Sequence, residues 1–364
     1  MRPQVGPDPL HDALSGKRPL DSREEHLRSG LSRFLDARWR PGAQVSELAH
    51  IPGGASRETW RFKASARADT RGMIVRIDPE TSLIDTDRRT EYRAMEAAYR
   101  AGLPAPETLF LEESLDWLGR PFSITAEVPG CQASPDGLPP QHRERIGRQK
   151  WALLGRIAAL DPETLGLGSV MPATTRETCA MEQLDYWAKV IVEDELHPNP
   201  VAHAAIRWLR RNRPPAAQKL SLVHGDYRTG NFLYSPDGEI KAILDWEMAH
   251  IGDPLEDLAW SMDPLWSWQT PELAGRLLPH KEAVRAWEEG SGLVVDPATF
   301  RWWRVFAAVK GIGIWISSSE DFHAGLSKAP ILAIAGWLMT DRQQQILVDY
   351  LSPLSKHRFV ESVK

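Results

Sequence analysis

The order of short apolar runs and amphipathic stretches limits the fold of this chain more than any other feature. Short apolar runs bounded by turn residues, which are typical of β-strands, occur at residues 45–51, 59–62, 73–77, 109–111 and 122–128. An amphipathic stretch around residues 91–95 predicts one helix after the third strand. From about residue 141 onward, helical spacing prevails. The sequence therefore predicts an α+β protein with a small antiparallel sheet, one inserted helix and a larger, mainly helical part.

The length of the chain favours a division into two lobes. A single hydrophobic core rarely grows beyond about 250–300 residues, and this chain has 364. Prolines near the N-terminus predict a flexible arm over residues 1–25, and helical spacing of apolar residues predicts a helix directly after it. We expect an N-terminal lobe over residues 26–130 and a helical C-terminal lobe over residues 131–364.

Charge and hydropathy exclude several classes of partner. The formal net charge of −5 leaves no basic footprint for nucleic acid. The longest apolar stretch, residues 329–339, is too short to span a bilayer, and the N-terminus lacks the apolar core of a secretory signal. The two cysteines, Cys131 and Cys179, make neither a disulfide framework nor a paired metal motif. We therefore expect a cytoplasmic protein that binds neither nucleic acid nor membrane.

The residues that bear chemistry lie in two segments of the predicted helical lobe. An apolar run leads into His224-Gly-Asp226, four residues intervene, and Asn231 enters the next run; a later apolar run ends at Asp245. Phosphoryl transfer needs a carboxylate for the attacking hydroxyl and oxygen ligands for Mg²⁺, and the Asp-to-Asn spacing equals that of the kinase loop H-R-D-x-x-x-x-N. These residues also favour turns. Because all three residues lie beside apolar strands, a role in phosphoryl transfer is favoured over a role in turns alone.

These segments resemble the aminoglycoside phosphotransferase and choline kinase superfamily. The resemblance is carried by HGDYRTGN at residues 224–231, ILDWE at 243–247 and GDPLEDLA at 252–259, and it covers roughly residues 40–320. It includes features of the branch that contains hydroxyacyl-CoA kinases associated with acyl-CoA dehydrogenases. The resemblance implies a bilobal protein-kinase-like fold that uses ATP and Mg²⁺. It also implies the following parts of the second lobe: a catalytic loop over 222–234, a metal motif over 242–247 and substrate-side helices over 254–364.

The resemblance implies a role for each of the motif side chains. Asp226 would be the catalytic base, and Asn231 and Asp245 would be the magnesium ligands. His224 would brace the loop, and Asp257 would fix the backbone of the loop.

Two neighbouring side chains have other interpretations. Asp253 precedes Pro254, a pair that is typical of the start of a helix, so we expect Asp253 to cap a helix. Arg228 either touches a phosphate or pairs with a carboxylate of the loop, and the sequence leaves both open.

The resemblance also implies nucleotide contacts in the first lobe. Gly53, Gly54 and Ser56 lie in a predicted hairpin that would cover the phosphates, since glycines let backbone N–H groups approach closely. An ordinary turn is the alternative. The last predicted strand resembles the segment that leads into the hinge between the lobes, so backbone groups at Glu127 and Val128 would meet the adenine.

The third predicted strand carries an arginine where many kinases carry a lysine. Arg76 is always charged and can bind phosphate oxygens through two nitrogens, so the exchange preserves the role. Glu91, in the following helix, is the natural carboxylate partner of Arg76. The alternative for this pair is two exposed charges.

The sequence limits the acceptor less closely. An aminoglycoside is a polycation and needs surplus carboxylates, whereas acidic and basic residues are equal in number between residues 260 and 319. Trp302 and Trp303 beside Arg301 and Arg304 suit an anionic or amphipathic acceptor, and helix packing is the other interpretation of this tryptophan-rich region. We therefore expect a small-molecule hydroxyl substrate, either a hydroxy acid or a hydroxyacyl-CoA. An aminoglycoside or an amino alcohol is the alternative.

Two further classes are disfavoured. A non-catalytic pseudokinase would show degraded catalytic positions, whereas Asp226, Asn231 and Asp245 are intact. A kinase of protein substrates needs an activation segment, and the sequence has no recognisable Ala-Pro-Glu signature after Asp245.

Overall fold

The computed structural model describes residues 19–52, 57–78, 88–267, 269–327 and 329–352. These residues divide into two compact units, each with its own hydrophobic core. The first unit holds residues 19–78 and 109–127, and the second holds residues 88–108 and 128–352.

The first unit is a five-stranded antiparallel sheet preceded by a helix. Helix α1 spans Pro19–Arg38, and the strands are β1 (Gln44–His50), β2 (Glu58–Ala66), β3 (Asp69–Ile77), β4 (Thr108–Glu112) and β5 (Phe122–Ala126). Their order in the sheet is β1-β2-β3-β5-β4. All five predicted strands are confirmed, and β2 and β3 extend beyond their predicted bounds toward the turn that joins them.

Helix α1 supplies one side of the core of this unit. Leu27, Leu31 and Phe34 recur at helical spacing and are buried. The ring of Phe34 meets the rings of Trp117 and Phe122 edge-on, at centroid distances of 5.5 and 5.0 Å. Such edge-to-face contacts add to the stabilisation from apolar burial.

The second unit is mainly helical. Its helices are α2 (Arg88–Arg100), α3 (Pro140–Ala159), α4 (Cys179–Asp194), α5 (Pro200–Arg211), α6 (Leu255–Ser261), α7 (His280–Ser291), α8 (Pro297–His323) and α9 (Pro330–Leu351). Helix α8 packs against α4, α5, α6 and α9 and forms the centre of the unit. None of the helices in the described part of the chain is long and apolar enough to cross a bilayer.

Short paired strands place the two sequence motifs of the second unit side by side. The strands are β6 (Ser221–Val223), β7 (Phe232–Tyr234), β8 (Ile240–Ile243) and β9 (His250–Gly252), followed by the small hairpin of β10 (Leu273–Ala274) and β11 (Leu278–Pro279). Strand β6 pairs with β9, and β7 pairs with β8, both antiparallel. The end of β6 pairs with the start of β9, and the start of β7 pairs with the end of β8. The loop from β6 to β7 and the loop from β8 to β9 therefore lie next to each other.

Candidate active site

The loop from β6 to β7, residues 224–231, turns sharply at Gly225. We call this segment the HGD loop. The φ angle of Gly225 is +86°, and a Cβ atom at this position would lie 2.3 Å from the carbonyl oxygen of Met248. Both the conformation and the lack of space require glycine between His224 and Asp226.

Asp257 on α6 holds the backbone of this turn. Its Oδ2 accepts a hydrogen bond from the N–H of His224 at 2.6 Å, and its Oδ1 accepts one from the N–H of Gly225 at 2.9 Å. The side chain is buried, and burial raises its pKa. The two bonds confirm the prediction that Asp257 fixes the backbone of the loop.

His224 braces the HGD loop against the next loop. Its Nε2 donates to the carbonyl oxygen of Leu244 at 2.9 Å, and its Nδ1 accepts from the N–H of Asp226 at 3.1 Å. The ring is fully buried, and burial lowers its pKa. A neutral imidazole with the proton on Nε2 satisfies both bonds, which confirms the predicted bracing role.

The carboxylate of Asp226 is held by donors on both of its oxygens. Oδ1 accepts from Nε1 of Trp260 at 2.8 Å, and Oδ2 accepts from Nδ2 of Asn231 at 2.7 Å and from Nε of Arg228 at 3.1 Å. The side chain nevertheless remains 16% exposed. The result is an oriented carboxylate that a hydroxyl group can reach from solvent.

The loop from β8 to β9 brings Asp245 to the HGD loop. The N–H of Leu244 donates to the carbonyl oxygen of Asn231 at 2.8 Å, so the two loops are joined at the residue before Asp245. Asp245 itself has a φ angle of +66°, a region that aspartate adopts more readily than most residues.

The oxygens of Asn231 and Asp245 are of the kind that magnesium takes as ligands. The described residues contain no group of three or more His, Cys, Asp or Glu that could hold a metal ion. Mg²⁺ in phosphoryl-transfer sites takes one or two carboxylates together with phosphate oxygens and water. The amide nitrogen of Asn231 donates to Asp226 at both the carboxylate and the carbonyl oxygen, which directs the amide oxygen of Asn231 elsewhere. Asp245 and Asn231 therefore fit the two predicted ligands.

Arg228 adopts one of its two predicted roles. Its Nε binds the carboxylate of Asp226, and its guanidinium carbon lies 5.6 Å from the ring centroid of Trp266. The charge of Asp226 and its hydrogen bond raise the pKa of Arg228 despite burial, so the guanidinium stays charged. The structure therefore shows Arg228 paired with a carboxylate of the loop, which is one of the two roles that the sequence left open.

The fold agrees with the matches to known proteins. The model of the phosphotransferase enzyme family (APH) matches residues 47–293, which is more than half of the chain. The chain belongs to the phosphotransferase enzyme family. This assignment confirms the resemblance inferred from the motifs.

Two curated relatives resemble this chain over much of its length. Acyl-CoA dehydrogenase family member 10 of Mus musculus is 29% identical over 260 residues, which are 70% of this chain and 24% of the relative. Acyl-CoA dehydrogenase family member 11 of Gallus gallus is 24% identical over 366 residues, which are 94% of this chain and 43% of the relative. The chain thus spans less than half the length of either relative.

Solved structures confirm the kinase-like fold. A putative aminoglycoside phosphotransferase from Ralstonia eutropha has a TM-score of 0.69 at 21% identity, with 88% of this chain and 97% of that chain covered. A choline/ethanolamine kinase family protein from Mesorhizobium loti has a TM-score of 0.59 at 17% identity, with 94% and 98% covered. At these identities the likeness shows the fold alone.

Sequence reasoning missed one residue of the candidate site, Trp260. The indole donates to Asp226, is buried, and meets the ring of Trp266 edge-on at a centroid distance of 5.1 Å. A signal was present, because Asp257 and Trp260 are three residues apart on α6 and so share a helix face. Asp253, which was predicted to cap this helix, lies one residue before the N-cap residue Pro254, and its Oδ1 accepts from the N–H of Leu255, the first residue of α6, at 2.9 Å.

The residues predicted to bind the nucleotide lie in both units. Arg76 is on β3 in the first unit, opposite Ser123 of β5, and Glu91 is buried on α2 in the second unit. Glu127 follows β5, with its N–H bonded to the carbonyl oxygen of Gly72 at 3.0 Å, and Val128 is the first residue of the longer segment of the second unit. The remaining predicted residues, Gly53, Gly54 and Ser56, lie outside the described residues. The nucleotide roles of all seven residues stay predictions.

The tryptophan pair on α8 does not form an acceptor pocket. Trp302 and Trp303 are at most 2% exposed, and their indole nitrogens donate to Leu209 and Asp253 respectively. Arg301 and Arg304 bind the carbonyl oxygen and the hydroxyl of Tyr350. The hypothesis that these four residues hold an anionic acceptor is wrong, because α8 is a core helix and its tryptophans point inward.

Proposed function

We propose that this chain transfers the γ-phosphoryl group of ATP to a hydroxyl group of a small molecule, with Mg²⁺ as cofactor. The observation that carries the proposal is the carboxylate of Asp226. It is fixed by Trp260, Asn231 and Arg228, yet it is exposed enough to meet an acceptor. Phosphoryl transfer depends mainly on positioning and electrostatics, so an oriented base is the central protein contribution.

In this mechanism Asp226 accepts a hydrogen bond from the acceptor hydroxyl and then takes its proton. The hydroxyl oxygen forms a bond to the γ-phosphorus as the bond between that phosphorus and the bridging oxygen of ADP breaks. Arg228 and Trp260 keep the carboxylate aimed during this step. Asn231 and Asp245 would hold Mg²⁺, which offsets phosphate charge when it is bound.

The first unit and the adjoining segments would hold the nucleotide. Arg76 would bind phosphate oxygens, with Glu91 as its partner, and backbone groups near Glu127 and Val128 would meet the adenine. We propose these contacts from the sequence resemblance, together with the phosphate hairpin predicted at residues 53–56 and a cytoplasmic location.

For the acceptor we propose a hydroxy acid or a hydroxyacyl-CoA. The support comes from the relatives named as acyl-CoA dehydrogenase family members, which are 24–29% identical to the chain. The balanced charge of residues 260–319 also disfavours a polycation. An aminoglycoside or an amino alcohol remains the alternative acceptor.

An ADP-release assay with purified protein and Mg-ATP tests this function. Each acceptor class is added separately: hydroxyacyl-CoAs, free hydroxy acids, amino alcohols and aminoglycosides. We expect acceptor-dependent ADP release, highest with a hydroxyacyl-CoA or hydroxy acid, and mass spectrometry should show one added phosphoryl group on that acceptor. Preferential turnover of an aminoglycoside would contradict the proposed acceptor, and no turnover with any class would contradict the proposed kinase activity.

A further inference from the structure

A buried lysine of helix α8 donates a hydrogen bond to the backbone of the HGD loop. Lys310 of α8 is 1% exposed, and its Nζ donates to the carbonyl oxygen of Gly225 at 2.6 Å. The same Nζ donates to Oε1 of Glu256 at 2.8 Å. Lys310 therefore reaches the residue immediately before the proposed base Asp226.

The charge of Lys310 is compensated inside the core. Glu256 of α6 binds Lys310 with one oxygen, and its other oxygen lies 3.1 Å from Nε2 of His250. Burial alone would raise the pKa of Glu256, but Lys310 and His250 together lower it to about 2. Burial acts to lower the pKa of His250, but the charge of Glu256 and its hydrogen bond raise it above its usual value. A buried charged network of this kind is weak as a source of stability, since desolvation offsets the attraction.

The lysine completes the set of bonds around the Gly225 turn. Asp257 of α6 accepts a hydrogen bond from the N–H of Gly225 at 2.9 Å, and Lys310 of α8 donates one to the carbonyl oxygen of the same residue. That carbonyl lies in one peptide plane with the N–H of Asp226, which donates to His224 at 3.1 Å. Because this peptide plane is bonded directly to Cα of Asp226, its orientation helps to set the direction of the Asp226 side chain.

We propose that Lys310 is a positioning residue for phosphoryl transfer, which orients Asp226 by holding the Gly225 carbonyl. The inference rests on the proposed function. Lys310 acts through the backbone and does not touch the acceptor or the nucleotide. Glu256, which His250 contacts through its other oxygen, holds the ammonium group in place without competing for the carbonyl.

The test separates carbonyl binding from charge pairing. The double substitution Lys310→Met/Glu256→Gln removes both opposite charges, so no unpaired ion stays in the core, while the Gly225 carbonyl loses its donor. We expect kcat to fall about 10–100-fold, because displacements of about 1 Å at a catalytic group have effects of this size. The KM for Mg-ATP should stay unchanged. Hydrogen exchange of residues 222–234 should become faster than in the parent protein.

The control is Lys219→Met, since Nζ of Lys219 also donates to a backbone carbonyl, that of Ala159 at 2.7 Å, outside the HGD loop. This control should leave kcat unchanged. If the double variant does not fold, Lys310→Arg keeps the charge pair with Glu256 but moves the donor, and kcat should again fall at unchanged KM for Mg-ATP. A kcat within twofold of the parent in the folded variant would overturn the inference. A parent protein that phosphorylates no acceptor would instead contradict the proposed function.

Discussion

The substitution Asp257→Asn tests how strongly the site depends on α6. Asp257 uses both carboxylate oxygens for the N–H groups of His224 and Gly225. Asparagine keeps one acceptor oxygen but points an NH₂ group at the second N–H, so one bond is lost and a buried donor is left without an acceptor. A hydrogen bond to a charged group contributes about 1.5–3 kcal/mol. We expect the free energy of unfolding to fall by about that amount and kcat to fall at least tenfold, because the HGD loop loses its anchor.

The matched control is Asp253→Asn. The side chain of Asp253 is also buried and also accepts two hydrogen bonds, from the N–H of Leu255 and from Nε1 of Trp303, and within the described part of the chain neither bond involves the HGD loop. Urea unfolding gives the stability of each variant, and ADP release gives kcat. If Asp257→Asn and Asp253→Asn lower kcat equally at similar stability, the anchoring role assigned to Asp257 is refuted.

Three further substitutions examine the metal, the base and the core. Asp245→Ala should weaken binding of Mg-ATP but not of ATP alone, because it removes a charged ligand; calorimetric titration that finds equal Mg-ATP affinity would reject the assignment. Trp260→Phe should lower kcat about tenfold by removing the donor to Oδ1 of Asp226. The control Trp302→Phe also removes a buried indole donor, but that indole binds the carbonyl oxygen of Leu209 and not Asp226, so kcat should stay unchanged. Burial raises the pKa of Asp263 to about 6, above its unfolded value of 3.8. The protein therefore loses stability as the pH rises from 3.8 to about 6, because the unfolded state releases this proton first, and the loss is complete above about pH 6. Asp263→Asn removes this pH-dependent loss, but it also points an NH₂ group at one of the two donors that Asp263 binds, the N–H of Leu265 and Nε2 of Gln343. The effect of Asp263→Asn on stability should therefore be about 1 kcal/mol more favourable at pH 8 than at pH 5, as measured by urea unfolding, and an equal effect at both pH values would be inconsistent with this cause.

The sequence predicted the parts of the site that are written in contiguous motifs. Asp226, Asn231 and Asp245 each adjoin an apolar strand, and strand pairing then brings their loops together. His224 and Asp257 were also assigned correctly, because both belong to the motifs that carried the resemblance. The five strands and the inserted helix followed from periodicity alone, which is reliable where one face of each element is buried.

The contacts that sequence reasoning missed connect elements far apart in the chain. Lys310 lies 85 residues from Gly225, and periodicity gives no information on which side chain of a long buried helix meets which loop. The error at Trp302 and Trp303 has the same origin. Helix α8 is buried around much of its circumference, so its tryptophans, which resembled a stacking surface in the sequence, pack in the core. Only tertiary packing distinguishes the two interpretations.

The turnover of Asp226→Asn, compared with its affinity for Mg-ATP, is the most direct test of the proposed mechanism. The substitution removes the group that takes the acceptor proton but leaves Asn231 and Asp245 in place. Loss of a general base typically lowers the rate about 10²–10⁴-fold. We predict a fall in kcat of that size in the ADP-release assay, with the dissociation constant for Mg-ATP nearly unchanged by calorimetry. A variant that keeps more than about a tenth of the parent kcat would show that Asp226 is not the base.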